Sequence, residues 1–166
     1  MGRIVVGVDG SKESHEALRW ALDEATLRGA ELHVVHVYGP VGEESPYAAS
    51  YAYAPDRGTA GRLTEDEARW REERQRTVHE RAQRIVNDVV KAVGADHADL
   101  AVHQEVIAGA RSAQALIDRA RHADLLVVGS RGRGGFKGLL LGSVSQQVVQ
   151  HAPCPVVVIR PGTTAD

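Results

Sequence analysis

A chain of 166 residues with 43% hydrophobic and 25% charged residues has the composition of an ordinary globular protein, and its length fits a single domain, predicted here over residues 1–166. Its formal net charge of −2 provides no overall attraction to nucleic acid or to an anionic membrane, so we expect neither as a partner. Because the sequence has one cysteine, we expect no internal disulfide. Charged residues soon interrupt the N-terminus and no apolar run reaches about 18 residues, so we expect neither a signal peptide nor a membrane span. These expectations together predict a cytoplasmic location.

The first part of the sequence predicts a strand, a helix and a second strand. Residues 3–9 are rich in Val and Ile on both faces, which is typical of a strand buried between two helical layers. Ser11 can cap a helix whose alanines and leucines share one face and which Gly29 ends. The next apolar run, residues 31–38, is predicted as the second strand.

Residues 39–63 are the one anomaly, a long stretch rich in Gly, Pro, Ser and Tyr that we predict to be a loop insertion. Its tyrosines either close over a ligand or belong to a disordered segment, and the pattern does not separate the two. Thr64 and Glu67 have the spacing of a capping box, and the helix that they begin should end at Gly94. Its apolar stripe begins only at Val78, so we expect the polar first turns to project into solvent.

The rest of the sequence keeps the same alternation of strands and helices. We predict strands at residues 99–107, 124–129 and 155–160, with one helix around residues 113–120 and another after Gly142. Because crossovers between parallel strands are right-handed, this order of elements predicts an α/β fold. We expect an open, doubly wound five-stranded parallel sheet with strand order 3-2-1-4-5 and helices on both faces.

A glycine-rich loop follows the fourth predicted strand. Six glycines in the 14 residues from Gly129 to Gly142 let backbone N–H groups approach a ligand without obstruction by Cβ atoms. The following helix offers N–H groups and the positive end of its dipole, and Ser143 can both cap that helix and offer its hydroxyl to a phosphate. Arg131, Arg133 and Lys137 add positive charge. Since ligands bind beyond the carboxyl ends of strands in such sheets, the loop predicts a site for an anion with several oxygens.

Two well-known phosphate-binding loops do not fit this segment. A P-loop needs a hydroxyl-bearing residue directly after its lysine, and Gly138 follows Lys137. The dinucleotide fingerprint would need a glycine at position 137, and it should follow the first strand instead of the fourth.

The spacing Gly129-x2-Gly132-x9-Gly142-Ser143 resembles the ATP-binding signature of the universal stress protein family. The resemblance covers nearly the whole sequence at four separate places in the right order: residues 4–11 (IVVGVDGS), 36–37 (HV), 123–129 (ADLLVVG) and 152–159 (APCPVVVI). Four ordered matches are far more specific than a lone glycine loop. The resemblance implies a nucleotide-binding domain of the ATP-binding branch.

The binding residues of the family carry over by position in this sequence. The resemblance implies that Asp9 accepts hydrogen bonds from ribose hydroxyls and that the backbone of Val37 pairs with the adenine edge. It implies ATP as the ligand, with Mg²⁺, and it assigns no catalytic or metal-binding residue. The implied ribose and phosphate cradle consists of Gly129, Gly132, Gly142, Ser143 and Val144.

More than one class of function is compatible with this pattern. The first is an ATP-binding stress-response or signalling module in which occupancy alters dimer or partner contacts. The second is a slow ATPase or nucleotidyl-transfer enzyme, which we favour less because the loop has no obvious carboxylate or histidine as a base. In a third, a pure interaction protein, the glycine signature would be idle. Asp9 could also be structural, or a phospho-acceptor, although no carboxylate ends the third predicted strand.

The strand at residues 155–160 lies at the edge of the predicted sheet. Its run of Val and Ile has backbone groups on an open side, which predicts a homodimer formed by antiparallel pairing of two copies. The alternative is that the long loop or the C-terminal tail covers this edge.

The histidines and the cysteine are expected to have structural roles. The eight histidines show no metal-ligand spacing, and His33 and His36 lie on opposite faces of one predicted strand. Cys154, between two prolines, is predicted to be a small residue at the entry to a strand instead of a reactive thiol.

Overall fold

A computed structural model describes residues 2–39, 65–93, 100–132 and 140–162. The predicted loop insertion, Thr64 of the predicted capping box, Gly94 and much of the glycine-rich loop lie outside these ranges. The strands are β1 (Arg3–Gly7), β2 (Glu31–Tyr38), β3 (Val102–Ala108), β4 (Leu125–Gly129) and β5 (Val156–Ile159). The helices are α1 (Lys12–Arg28), α2 (Glu65–Val93), α3 (Ser112–Arg119), which leads into a 3-10 turn at Ala120–His122, and α4 (Ser143–His151).

The sheet has the predicted topology. Its order is β3-β2-β1-β4-β5, and all four neighbouring pairs are parallel. β1 lies at the centre, while β3 and β5 form the two edges. The order of progress across the sheet reverses between β1 and β4, so a crevice is expected at the carboxyl ends of these two strands.

Helices cover both faces of the sheet, as the doubly apolar strands predict. Alternate residues of β1 point to opposite sides: Ile4 and Val6 pack under α1 and α2, whereas Val5 packs under α3 and α4. The larger core includes Leu18 and Leu22 of α1 with Val86 and Val89 of α2, and the smaller core is centred on Leu126 and Leu116. This burial on two faces fixes the position of the strand ends that hold the site.

The caps of α1 are those expected from the sequence. The Oγ atom of Ser11 accepts a hydrogen bond from the N–H of Ser14 at 3.2 Å. Gly29 ends the helix with a φ of 61°, a left-handed conformation that favours glycine.

The first turns of α2 project into solvent, as predicted. Residues 69–77 are exposed, Val78 is half-buried, and full burial begins with Ala82. The helix therefore packs against the sheet only through its later turns, where the apolar stripe lies.

Four of the five predicted strands have bounds that differ from the observed ones by one to three residues, and β4 begins at Leu125 instead of residue 124. β1 ends at Gly7 instead of residue 9, because the backbone turns there through Gly10, whose φ is 79°. β3 covers Val102–Ala108 instead of residues 99–107. β5 is shorter than residues 155–160 by one residue at each end.

None of the helices in the described ranges is long and apolar enough to cross a membrane.

Candidate functional site

A cleft of about 690 Å³ opens at the carboxyl ends of β1, β2 and β4. This volume lies within the range of about 300–1,000 Å³ that is usual for small-molecule sites. The seven residues that the family resemblance assigns to the site all lie on its wall: Asp9, Val37, Gly129, Gly132, Gly142, Ser143 and Val144. The structure therefore brings together residues that the sequence distributes over three separate segments.

Asp9 is held in a tight turn between β1 and α1. Its Oδ1 atom accepts a hydrogen bond from the N–H of Ser11 at 2.9 Å, and the N–H of Gly10 donates to the Oγ atom of Ser14 at 3.1 Å. The turn leaves the carboxylate at the end of the central strand, on the wall of the cleft. Because a carboxylate has two oxygens that each accept more than one hydrogen bond, the bond to Ser11 uses only part of its acceptor capacity.

Gly132 adjoins this carboxylate. A Cβ atom at position 132 would collide with Oδ2 of Asp9, so any other residue would have to displace that oxygen. Gly129 has a different reason to be glycine, because a Cβ atom there would lie 3.0 Å from Cβ and 3.1 Å from the carbonyl carbon of Glu13. The absence of a Cβ atom at Gly132 leaves room for the Asp9 carboxylate, and its absence at Gly129 lets α1 approach β4 closely.

The N-terminus of α4 faces the same cleft, but its cap differs from the prediction. The N-cap residue is Gly142, which offers no side chain for capping, and Ser143 is the first residue of the helix, so the predicted capping role of Ser143 is wrong. The N–H of Gly142 donates to the carbonyl of Ser130 at 2.7 Å. The next N–H groups, those of Ser143 and Val144, have no acceptor within the helix because they belong to its first turn.

A buried hydroxyl anchors α4 to the sheet. Ser145 is 3% exposed, and its Oγ atom donates to the carbonyl of Gly129 at 2.6 Å. This bond joins the last residue of β4 to the first turn of the helix. The position of the helix N-terminus relative to the sheet is thereby set by a specific hydrogen bond as well as by packing.

The backbone of Val37 faces the cleft. The carbonyl of Val35 accepts a hydrogen bond from the N–H of Val8 at 2.9 Å, so odd-numbered residues of β2 turn their backbone groups toward β1. Val37 has the same orientation, but β1 has ended at Gly7. The N–H and C=O of Val37 therefore point into the space beyond the end of β1.

The electrostatics of the cleft differ from the prediction at one residue. Arg131, expected to supply mobile positive charge, pairs with Glu13 of α1, with 3.7 Å between Nη2 and Oε1. The other two predicted basic residues, Arg133 and Lys137, lie outside the described residues. Nothing in the local sequence pattern around Glu13 indicates that α1 begins beside β4.

Helix α2 forms a wall that the sequence interpretation missed. Val78, Arg81 and Ile85 line the cleft from this side. Tyr38, at the end of β2, contacts the same helix through its hydroxyl, which lies 3.1 Å from Nδ1 of His79. The predicted apolar stripe of this helix begins at Val78, but periodicity does not show which part of such a stripe lines a cleft.

The two histidines of β2 have different surroundings. His36 is buried, and its Nδ1 atom lies 2.7 Å from the carbonyl of Val8, which fits the predicted structural role. His33 stacks on His103 of β3, with ring centroids 4.7 Å apart and Glu31 alongside, a meeting in space that the spacing of the histidines along the sequence does not indicate.

Cys154 is not activated as a nucleophile. Burial, and then the charge of Asp124, raises the pKa of its thiol. The thiol therefore stays protonated near neutral pH, in agreement with the predicted structural role.

Comparison with known proteins gives matches over nearly the whole sequence. The sequence profile of the universal stress protein family matches residues 1–160. A universal stress protein of Mycolicibacterium smegmatis is 37% identical over 158 residues, which cover 95% of this chain and 45% of that protein. The chain thus spans about half the length of the curated relatives that it matches, including the universal stress protein Rv2623 of Mycobacterium tuberculosis, which it covers to 47%.

Solved structures support the same fold. Universal stress protein UspA from Lactobacillus plantarum gives a TM-score of 0.70 at 23% identity, covering 96% of this chain and 97% of that chain. A universal stress protein solved in complex with cAMP gives a TM-score of 0.54 at 28% identity, covering 95% of both chains.

Proposed function

Since this chain belongs to the universal stress protein family, we propose that it binds ATP, with Mg²⁺, in the cleft at the carboxyl ends of β1, β2 and β4, and that occupancy modulates its dimer or partner contacts. The observation that carries the proposal is the convergence of three different donor and acceptor groups on one cleft. These are the carboxylate of Asp9, the backbone of Val37 and the N-terminus of α4.

Each group suits a different part of the nucleotide. The carboxylate of Asp9 accepts hydrogen bonds from the 2′ and 3′ hydroxyls of the ribose. The N–H and C=O of Val37, on the wall of the cleft, offer a donor and an acceptor to the adenine edge. The first-turn N–H groups of α4 and the hydroxyl of Ser143 suit the phosphates, whose negative charge the helix dipole stabilises. The cAMP complex of the 28% identical relative supports an adenine nucleotide as the ligand class.

We propose binding in preference to rapid turnover. Fast phosphoryl transfer needs a base or a water-positioning residue beside the γ-phosphate. Asp9, the acidic residue on the described wall of the cleft, already accepts a hydrogen bond from Ser11. In the proposed complex it binds the ribose and not the γ-phosphate. Any hydrolysis should therefore be slow compared with the ~1–100 s⁻¹ typical of kinases.

Calorimetry with purified, nucleotide-free protein tests the proposal. Wild type should bind ATP with Mg²⁺ saturably at one site per protomer, and Asp9→Ala should bind ATP at least about tenfold more weakly, because one or two charge-assisted hydrogen bonds are lost. Inorganic tripolyphosphate should bind both proteins alike. Asp118→Ala, which removes an exposed carboxylate of α3 that pairs with Arg121, is the matched control and should bind ATP like wild type.

Two results would contradict the proposal. Wild type that shows no saturable binding of ATP up to millimolar concentration would refute nucleotide binding altogether. Equal affinities of Asp9→Ala and wild type for ATP would make Asp9 a structural residue of the turn and remove the proposed ribose contact. Circular dichroism on each variant establishes that the fold is retained.

A further inference from the structure

The strand pair β2–β3 carries a group of potential metal ligands away from the proposed nucleotide cleft. Glu31 and His33 are two residues apart in β2, so their side chains leave the same face of the sheet. His103 is the register partner of His33 in the neighbouring edge strand. All three lie near the amino ends of their strands, whereas the cleft lies at the carboxyl ends.

The ligand atoms of the three side chains converge. Nε2 of His33 lies 3.6 Å from Oε2 of Glu31, and Nε2 of His103 lies 3.9 Å from the same oxygen. One ligand atom from each residue lies within 4.8 Å of the others. In a tetrahedral site with metal–ligand distances of about 2.0–2.2 Å, ligand atoms are about 3.4 Å apart. Shifts of a few tenths of an ångström for Glu31 and somewhat more for the His103 ring would therefore form the site.

His33 provides a second and independent indication. Its Nε2 atom is buried and has no hydrogen-bond partner among the described residues, and 3.6 Å to Glu31 is too long for a hydrogen bond. Buried polar atoms normally have a partner, since leaving one unsatisfied costs free energy. A metal ion between the three side chains would satisfy this nitrogen, and a neutral imidazole is the form that coordinates metals.

We propose that Glu31, His33 and His103 bind one Zn²⁺ ion. Two imidazoles and one carboxylate are ligands that zinc accepts, and a water molecule completes the tetrahedron. None of these three residues lines the proposed nucleotide cleft. Because the ligands come from two neighbouring strands, the ion would join β3, the edge strand, to β2.

A nearby cation limits the affinity of this site. Arg3 of β1 is the register partner of Glu31, and its positive charge acts on His33. A positive charge that acts on one of the ligands also repels a divalent cation bound there. Arg3→Gln should consequently tighten zinc binding, which an adventitious surface imidazole site elsewhere would not show.

The test uses the 166-residue chain without an affinity tag, freed of metal by a chelator and with no nucleotide present. Zn²⁺ is titrated in competition with a chromophoric chelator, and Co²⁺ is titrated while its visible absorption is recorded. Wild type should bind one equivalent of Zn²⁺, and Co²⁺ should give the strong absorption of a four-coordinate site. His103→Ala and Glu31→Gln should each bind at least about tenfold more weakly, since the loss of an outer-shell partner of a ligand already costs about 10–100-fold in affinity.

His151→Ala is the matched control, because His151 is an exposed histidine at the end of α4, on the β5 side of the sheet. It should bind Zn²⁺ like wild type, and Zn²⁺ should raise the melting temperature of both. His103 is exposed on the edge strand, so its replacement should leave the fold intact by circular dichroism. Undiminished one-equivalent binding by His103→Ala, or no saturable binding by wild type, would overturn the proposal.

Discussion

Two residues far apart in the sequence, Asp9 and Gly132, form one unit at the end of the central strand. The missing Cβ atom of Gly132 is what leaves room for Oδ2 of Asp9. The glycine of a phosphate-loop motif is usually explained by close approach of the ligand to the backbone. Here the structure provides a second explanation, in which the glycine acts through a carboxylate of the same protein.

A double-mutant cycle distinguishes these explanations. Gly132→Ala should weaken ATP binding in the wild-type background, because the new Cβ displaces the carboxylate from its position. In the Asp9→Ala background the same substitution should have little further effect, since the group that it displaces is gone. Calorimetric affinities of the four proteins give the coupling. Equal losses in both backgrounds would show that position 132 acts on the nucleotide directly.

His33 predicts a pH dependence of stability. Burial, followed by the charges of Arg3 and His103, lowers the pKa of His33 below its ordinary value of 6.5, against the opposing influence of Glu31. With a lowered pKa in the folded state, the unfolded state binds the proton first as pH falls below 6.5. The free energy of unfolding should therefore decrease from about that pH downward, through the folded pKa, and this residue should contribute no slope above it.

The measurement compares wild type with His33→Asn by urea unfolding between pH 5 and 8, roughly one and a half units on either side of the ordinary histidine value. A chelator is present so that bound metal makes no contribution. The difference between the two stability curves should be flat above the ordinary pKa and change only on the acid side. Parallel curves over the whole range would show that this histidine titrates alike in the folded and unfolded states.

At the scale of elements, α4 contains two serines with different roles. Ser143 lies in the first turn on the wall of the cleft, whereas the hydroxyl of Ser145 is committed to the carbonyl of Gly129. We propose that Ser143 contacts the phosphates, whereas Ser145 anchors the helix to β4. Their separation by only two positions makes them a matched pair.

The pair should separate affinity from stability. Ser143→Ala should weaken ATP binding by about 1.5–3 kcal/mol if its hydroxyl bonds a charged phosphate, with little change in unfolding free energy. Ser145→Ala should lower the unfolding free energy by about 1–3 kcal/mol, because a buried carbonyl loses its donor. Calorimetry and urea unfolding on both variants measure the two quantities. Weaker ATP binding by Ser145→Ala together with a lower unfolding free energy of Ser143→Ala would contradict these roles.

At the scale of the whole molecule, we propose that two copies pair through β5, which the sheet order leaves at an edge. The carbonyls of Pro155 and Ile159 accept hydrogen bonds from the N–H groups of Leu126 and Ser130, at 3.0 Å and 2.7 Å. Because backbone groups alternate along a strand, those of Val157 also face β4, and those of the even-numbered residues 156 and 158 face the open edge. An antiparallel partner would bind to these outward groups.

Val158→Pro should accordingly give a folded monomer. Proline removes the outward N–H at this position while the bonds from β5 to β4 are kept, and proline is tolerated where a strand N–H faces solvent. Val158→Ala, which loses the same side-chain packing but keeps the N–H, should remain dimeric. Light scattering at tens of micromolar measures both, with wild type alongside. A well-behaved wild-type monomer at that concentration would contradict pairing through β5.

Much of the fold could be predicted from local patterns. The alternation of apolar strands with capped helices determined the element order, and right-handed crossovers then allow few topologies. The predicted end of a strand is wrong where a turn begins inside an apolar run, as at Gly7, since apolar residues continue after the strand has ended. The family resemblance supplied the seven cleft residues, and their meeting at one cleft follows from the order of the strands.

What the sequence determined by itself is local: the caps at Ser11 and Gly29, the strands buried on two faces and the glycines that leave space near a helix N-terminus. The tertiary structure alone decided which distant side chains meet. The pairing of Glu13 with Arg131, the wall formed by α2 and the stacking of His33 on His103 all depend on strand register and helix placement. These contacts leave no periodic signal in the sequence, because the packing of the two cores fixes them and no run of neighbouring residues encodes it.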